Sequence, residues 1–457
     1  MDRGPSTETP SACRSTIPPA PSGRASNAQR SPALAQYGRT GGHGMNDSSG
    51  APNGGALTGS APPPPAWSAG GLALAGILAA ATVAAAWHLH GHEAFGRESS
   101  IAVLAGFILG LALQRGRYCY FCIIREAIEE RDVRALLGLI ASLAAGTVGA
   151  AVVFDAWIPD ATAGHLPPAG NIGPVGWPLA LGGLLFGLGM AFSGSCISAH
   201  LYRLAEGSLL SPLALAGAVP GFMAGFACWN FVYLYGYHGA PVIWLPAIAG
   251  FAPALALQLG ILALSAWWLW HYWHRPAGAG EEAGPGGSWA HRLWRERWPA
   301  GWTALVVALV TTVMLLRAEP IGVTSALGTQ VRAAASVLGL LPERLEGLDS
   351  FRGCGTSPRD TWLSVNALFV LALVAGAATA SAAGGHFRPQ VPPAAHIVSA
   401  LAGGVLLGFG AMIALGCTVG RLSGGVTALS LCGWIFAATM VAGIATGLRL
   451  RRVWWRG

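Results

Sequence analysis

Gly182-Gly-Leu-Leu-Phe-Gly-Leu-Gly-Met-Ala-Phe-Ser-Gly-Ser-Cys196 aligns without gaps to Gly403-Gly-Val-Leu-Leu-Gly-Phe-Gly-Ala-Met-Ile-Ala-Leu-Gly-Cys417. Four glycine pairs coincide: Gly182 with Gly403, Gly183 with Gly404, Gly187 with Gly408 and Gly189 with Gly410. Each copy ends on a cysteine. Both are apolar and carry no charge, so neither belongs on a wetted surface. Glycines four apart let helices approach closely, which would draw the Cys-bearing ends of the two copies inward.

The rest of the chain agrees with an apolar setting. Of 457 residues, 53% are hydrophobic and 10% charged. Soluble domains carry about a quarter charged residues, so a water-soluble fold is excluded as the main body. Ten stretches are long enough to cross a bilayer: 69–90, 100–115, 133–154, 177–194, 211–236, 245–270, 301–317, 362–383, 396–415 and 429–448. The sequence therefore predicts an all-α, polytopic membrane bundle of about nine or ten helices, some broken or re-entrant. Residues 1–66 are rich in Pro, Ser, Gly and Ala and lack hydrophobic periodicity, so they are expected to be a disordered tail. Met45 is a second candidate start. Residues 67–457 are read as one membrane domain with half-repeats near 100–236 and 302–448, joined through an Arg-rich loop at 271–300.

All 27 basic residues are Arg. Five lie between Arg115 and Arg134, four between Arg275 and Arg297, and Arg449, Arg451, Arg452 and Arg456 close the chain. The loop Asp155 to Gly176 has none. Placing the three Arg-rich segments inside gives alternate crossings and cytoplasmic termini. The 318–361 loop then lies outside, its Arg balanced by acidic residues. The net charge of +7 is explained by inside loops and points to no nucleic acid. In this topology the two copies run in opposite directions, the inverted-repeat pattern of carriers whose sites lie at broken helices.

The eight cysteines are too scattered for a disulfide framework. Cys196, after Gly194 and Ser195, and Cys417, after Gly416, each follow a Gly-rich span and precede a polar stretch. A helix break there exposes backbone N–H groups to an anion, and a thiol beside it is a soft donor or, ionised, a nucleophile. Cys119 and Cys122 form a C-x-x-C flanked by Arg115, Arg117 and Arg125. That pattern suits a redox pair or anion attraction; without a second pair it is weak for zinc. Cys354 has glycine on both sides and sits before a span. Cys228 and Cys432 read as apolar packing, and Cys13 has no role. His88, His90 and His92 alternate at the end of the first span. They read as interfacial, with a surface metal site as the alternative.

Gly116-Arg-Tyr-Cys119, the Gly187-x-Gly to Ser193-Gly-Ser-Cys196 segment, and the Gly408-x-Gly to Leu415-Gly-Cys417-Thr-Val-Gly420 segment resemble the YeeE/YedE sulfur-transport family. The resemblance covers residues from about 100 to 448. It implies a bacterial inner-membrane protein with pseudo-symmetric halves that takes up thiosulfate or a related sulfur species past essential cysteines. By motif these are Cys196 and Cys417, and by position Cys354. The lipid bilayer and a small sulfur oxyanion are then the partners, with a cytoplasmic sulfur-carrier protein as a further candidate. No cofactor or metal is implied. The chain departs from short members of the family in its N-terminal tail, its 271–300 loop and Cys122. Some relatives belong to selenium metabolism, which makes a selenium compound the alternative cargo. The competing class is a membrane thiol–disulfide oxidoreductase working with quinone through Cys119 and Cys122. A metal carrier built on the three alternating histidines is a third.

Overall fold

The computed structural model describes residues 69–92, 95–167, 170–274, 294, 296–342, 344–348, 351, 363–387, 389 and 392–454. The tail, Cys13, Cys354 and most of the 271–300 loop lie outside the described residues.

All regular elements among the described residues are helical. They are α1 (Ala69–His90), α2 (Gly96–Gly116), α3 (Tyr120–Glu129), α4 (Arg134–Trp157), α5 (Trp177–Ser193), α6 (Ile197–Leu204) and α7 (Leu210–Ala227). There follow α8 (Phe251–Trp268), α9 (Ala300–Arg317), α10 (Val323–Val337), α11 (Val365–Gly384), α12 (Ala394–Ile413) and α13 (Leu431–Trp454). Among the described residues, ten segments are long and apolar enough to cross a membrane, and each overlaps one of the ten stretches expected from hydropathy. Two of these spans are bent pairs, α2 with α3 over Gly96–Glu129 and α5 with α6 over Trp177–Leu204. The expected 245–270 stretch is interrupted: Gly250, at φ +80, separates a short turn from α8. Likewise the 211–236 stretch is helical only to Ala227 before a short helix and a wide turn end at Tyr237.

The Gly-rich helices form the centre. The helices α5 and α12 pack antiparallel, since Gly182 lies against Ala414 and Gly410 while Gly189 lies against Gly403 and Leu407. These contacts are reciprocal under the sequence alignment: the Gly182–Gly410 pair becomes Gly403–Gly189 when the copies are exchanged. The outer partners follow the same rule. Gly443 of α13 sits on the Leu184 carbonyl, and Gly221 of α7 sits on the Val405 carbonyl. Gly447 meets Ala191, and Gly225 meets Met412. A further close pair is α2 with α11, which run parallel: Gly106 rests on the Phe369 carbonyl, Gly110 on the Leu373 carbonyl and Gly376 on the Phe107 carbonyl. Backbone-on-backbone approach of this kind is open only to glycine. Among apolar helices, where water supplies little drive for association, it is the main packing device.

The antiparallel pairing also decides where the helices stop. The end of α5, Ser193, lies beside Gly403 in the middle of α12, and the end of α12, Ala414, lies beside Gly182 of α5. Both Cys-bearing ends therefore terminate inside the bundle. The lipid-facing shell is the reverse: Ile77, Trp87, Leu264 and Tyr272 on and beside α1 and α8 are exposed, as an outer wall in hydrocarbon requires.

Candidate functional site

Three helix breaks share one construction. After α2, Arg117 turns left-handed at φ +49 and Cys119 is extended before α3. After α5, Gly194 turns left-handed at φ +81 and Cys196 is extended before α6. After α12, Leu415 turns left-handed at φ +56, Gly416 takes φ +151, and Cys417 is extended before a wide helical turn over Thr418–Gly424. In each break the cysteine carbonyl restarts the ladder. It accepts from the N–H of Ile123 (2.9 Å), His200 (3.0 Å) or Arg421 (2.7 Å) respectively. Glycine enters the left-handed region at no steric cost, whereas Arg117 and Leu415 hold it against strain. Such strain gathers at functional positions.

The first two breaks meet. The Cys119 thiol lies beside Cys196, and its Sγ is 3.4 Å from Ser195 Oγ. The Cys196 thiol lies near the backbone N–H groups of Tyr120 and Ala199, at the first turns of α3 and α6. Two helix N-termini thus face one pair of buried sulfurs. Their unpaired amides and dipoles favour negative charge. Cys119, Cys196 and Cys417 are all free thiols, so Cys119 is not closed on Cys122. Cys122 is buried on α3 and is disulfide-bonded rather than a free thiol, and its Sγ accepts from Arg203 Nη2 at 3.4 Å.

Tyr120 connects this pair to the third break. Its hydroxyl bonds Ser423 Oγ at 2.6 Å. Its ring lies close enough to Cys196 and Cys417 to feel both sulfurs. Buried hydroxyls surround the cysteines: Ser198 Oγ and Thr418 Oγ1 have no hydrogen-bond partner in the protein, and neither does His200 Nε2. In an apolar interior each such group costs on the order of 1–3 kcal/mol. Ser198 and His200 lie on α6 just after Cys196, and Thr418 follows Cys417 directly.

Orphan carbonyls at the breaks are capped from neighbouring elements. Ser399 donates to Phe192 at 2.8 Å and Arg203 to Gly194 at 3.4 Å. At the other break Tyr237 donates to Ile413 at 2.7 Å and Arg421 Nε to Ala414 at 3.0 Å. Both Tyr237 and Cys228 lie outside the spans, and burial raises the pKa of each.

Of the residues expected from sequence, Cys196, Ser195, Gly194 and Cys119 come together. Cys417 with Gly416 stands on the far side of Tyr120. Cys354 lies outside the described residues. His88, in the last turn of α1, and His92, just beyond it, stack edge to face at 6.0 Å. Among the described residues, no three His, Cys, Asp or Glu converge as a metal would require. Sequence reasoning missed Tyr120, Ser423 and Arg421. Only Arg421 left a readable trace there, as a lone charge inside an apolar run.

The fold and these breaks define a multi-pass α-helical membrane protein with thiols at its centre. The family follows from comparison: residues 115–446 match the family described as sulphur transport, and the chain belongs to it. It is similar to the "Thiosulfate transporter TsuA" of Escherichia coli (strain K12), 25% identical over 350 residues covering 75% of this chain and 92% of the relative. It is also similar to the protein of that name from Spirochaeta thermophila, 24% identical over 361 residues covering 75% of this chain and 95% of the relative.

Proposed function

We propose that this protein carries thiosulfate inward across a bacterial plasma membrane, through two halves of opposite orientation. The observation that carries the reading is the pair of helix breaks ending α5 and α12, each delivering a buried free thiol into the bundle, with Cys119 joining the first. The reciprocal glycine contacts across α5 and α12 support inverted halves. The names of the two relatives support the cargo.

A bare dianion faces a large desolvation cost in hydrocarbon. Helix N-termini offset that cost at the oxyanion end. Thiols suit the sulfur end, because S–H donors are weak and release what they bind. Cargo passes the Cys417 break, then Tyr120, then the Cys119–Cys196 pair, by exchange of hydrogen bonds. The relay is non-covalent, so it consumes no oxidant or reductant. The distribution of Arg assigns both chain ends to the cytoplasm.

Purified protein in liposomes tests this directly. It should accumulate labelled thiosulfate, with unlabelled thiosulfate competing better than sulfate, sulfite or selenite. Uptake of selenite in preference to thiosulfate would make this a selenium carrier, and no uptake of either would end the reading.

A further inference from the structure

The break after α12 holds a charge that the thiol relay does not use. Arg421 lies on the turn after Cys417 and is 5% exposed. A guanidinium stays protonated in any protein setting and carries five N–H donors. One of them, on Nε, is committed to the Ala414 carbonyl at 3.0 Å. Among the described residues, the other acceptor in bonding range is Cys432 Sγ, 3.6 Å from Nη1. That sulfur is poor compensation, because it also contacts the Asn171 carbonyl (3.5 Å) and Ser430 Oγ (3.2 Å). Among the described residues no carboxylate lies within ion-pair distance of Arg421.

The packing preserves room for the fork. Gly173 faces it, and a Cβ there would collide with Nη1, Nη2 and Cζ. Asn171 lies flat on Gly424, whose own Cβ would collide with the Asn171 amide. A cleft lined by Asn171, Pro320, Ile321, Val419, Gly424 and Thr427 opens beside the same turn. A buried cation without a counter-ion is strongly unfavourable. In a membrane protein such a charge marks an ion path. A planar fork of free N–H groups matches an oxyanion in two-point contact.

We infer that Arg421, with Cys432 beside it, forms a second anion subsite, separate from the Cys119–Cys196 pair, which takes a small sulfur dianion with its oxygens on the guanidinium and its sulfur towards Cys432. The inference builds on the sulfur-anion reading above, and it gives Cys432 a part beyond packing. Arg421 sets the requirement for negative charge, while the thiols set the preference for sulfur.

The test is anion-dependent thermal stability of the detergent-solubilised full chain, alongside uptake in liposomes. Thiosulfate and sulfate should both raise the wild-type Tm. In Arg421→Gln both shifts should vanish, and the half-saturating thiosulfate concentration for uptake should rise at least about tenfold. Arg421→Lys should keep a weakened shift. Cys432→Ser should keep the sulfate shift and lose part of the thiosulfate shift, which also serves as the readout if Arg421→Gln does not fold. A purely structural arginine would lower the Tm without anion yet leave the anion-induced shift intact, and that result would overturn the subsite. So would a Cys432→Ser protein with wild-type shifts for both anions. Wild-type protein that shows Arg421-dependent shifts but no thiosulfate uptake would keep the subsite and remove the transport reading.

Discussion

The break at Gly194–Cys196 and the break at Leu415–Cys417 are built alike and furnished differently. Each ends a Gly-rich helix with a left-handed residue, sets a cysteine in extended backbone, and restarts the chain from that cysteine's carbonyl. Each has its orphan carbonyls capped by one hydroxyl and one arginine. Extending the gapless alignment four residues sets His200 opposite Arg421. The first break has a second thiol, Cys119, and a neutral-capable histidine. The second has one thiol. Both carry an arginine, Arg203 at the first and Arg421 at the second. A common scaffold is therefore furnished with two thiols beside Arg203 at one break and with one thiol beside Arg421 at the other.

The comparison can be strained at its shared scaffold first. Gly187→Ala pushes a methyl into the Met440 carbonyl, and Gly408→Ala pushes one into the Ala218 carbonyl. Each should destabilise the protein by about 1–3 kcal/mol. Near-equal losses of Tm are expected, and a large inequality would mean that the two helix seams are not equivalent. The turns come next. Gly194→Ala imposes a Cβ on a left-handed residue and should cost about 1–2 kcal/mol. Leu415→Gly removes that strain but also empties a fully buried core position, so a net loss of about 1–3 kcal/mol is expected. Loss of Tm in both variants is the expected outcome, from backbone strain at Gly194 and from a cavity at Leu415.

A smaller effect separates the connection between the breaks from the breaks themselves. Tyr120→Phe deletes the bond to Ser423 and should cost about 0.5–1.5 kcal/mol. It should slow uptake without changing insertion. The smallest effect lies outside both breaks, at Asp132 between α3 and α4. Burial raises its pKa, but hydrogen bonds from the Arg134 side chain and backbone outweigh that, and the result is lowered. A carboxyl with a lowered folded-state pKa adds stability above its ordinary range and loses it as pH falls through the lowered value. Asp132→Asn should therefore cost less than about 1 kcal/mol at neutral pH, and the mutant and wild type should converge in acid.

What the sequence made legible follows from the range of each interaction. The ten spans were readable because hydropathy is local and the bilayer demands about twenty apolar residues at a time. Cys196 and Cys417 were readable because each closes a repeated glycine pattern. Cys119 stood out as half of a C-x-x-C, but its true companion is Cys196 rather than Cys122, a pairing across the bundle that spacing cannot reveal. Tyr120 and Ser423 are 303 positions apart and only the fold joins them. Cys432 looked like packing because its own helix is apolar; its polar neighbours arrive from Asn171, Ser430 and Arg421 on other segments. The left-handed Leu415 was hidden for another reason. Gly416 beside it was the natural residue for that turn, and the chain instead placed the strain one position earlier.

The central claim is that both breaks deliver thiols to one path. Uptake of labelled thiosulfate into liposomes should be measured for wild type, Cys196→Ala, Cys417→Ala and the half-buried Cys228→Ala, each at matched, folded levels. Loss of uptake in the first two variants, with Cys228→Ala at the wild-type rate, is the predicted result. Undiminished uptake in both Cys196→Ala and Cys417→Ala would contradict the account.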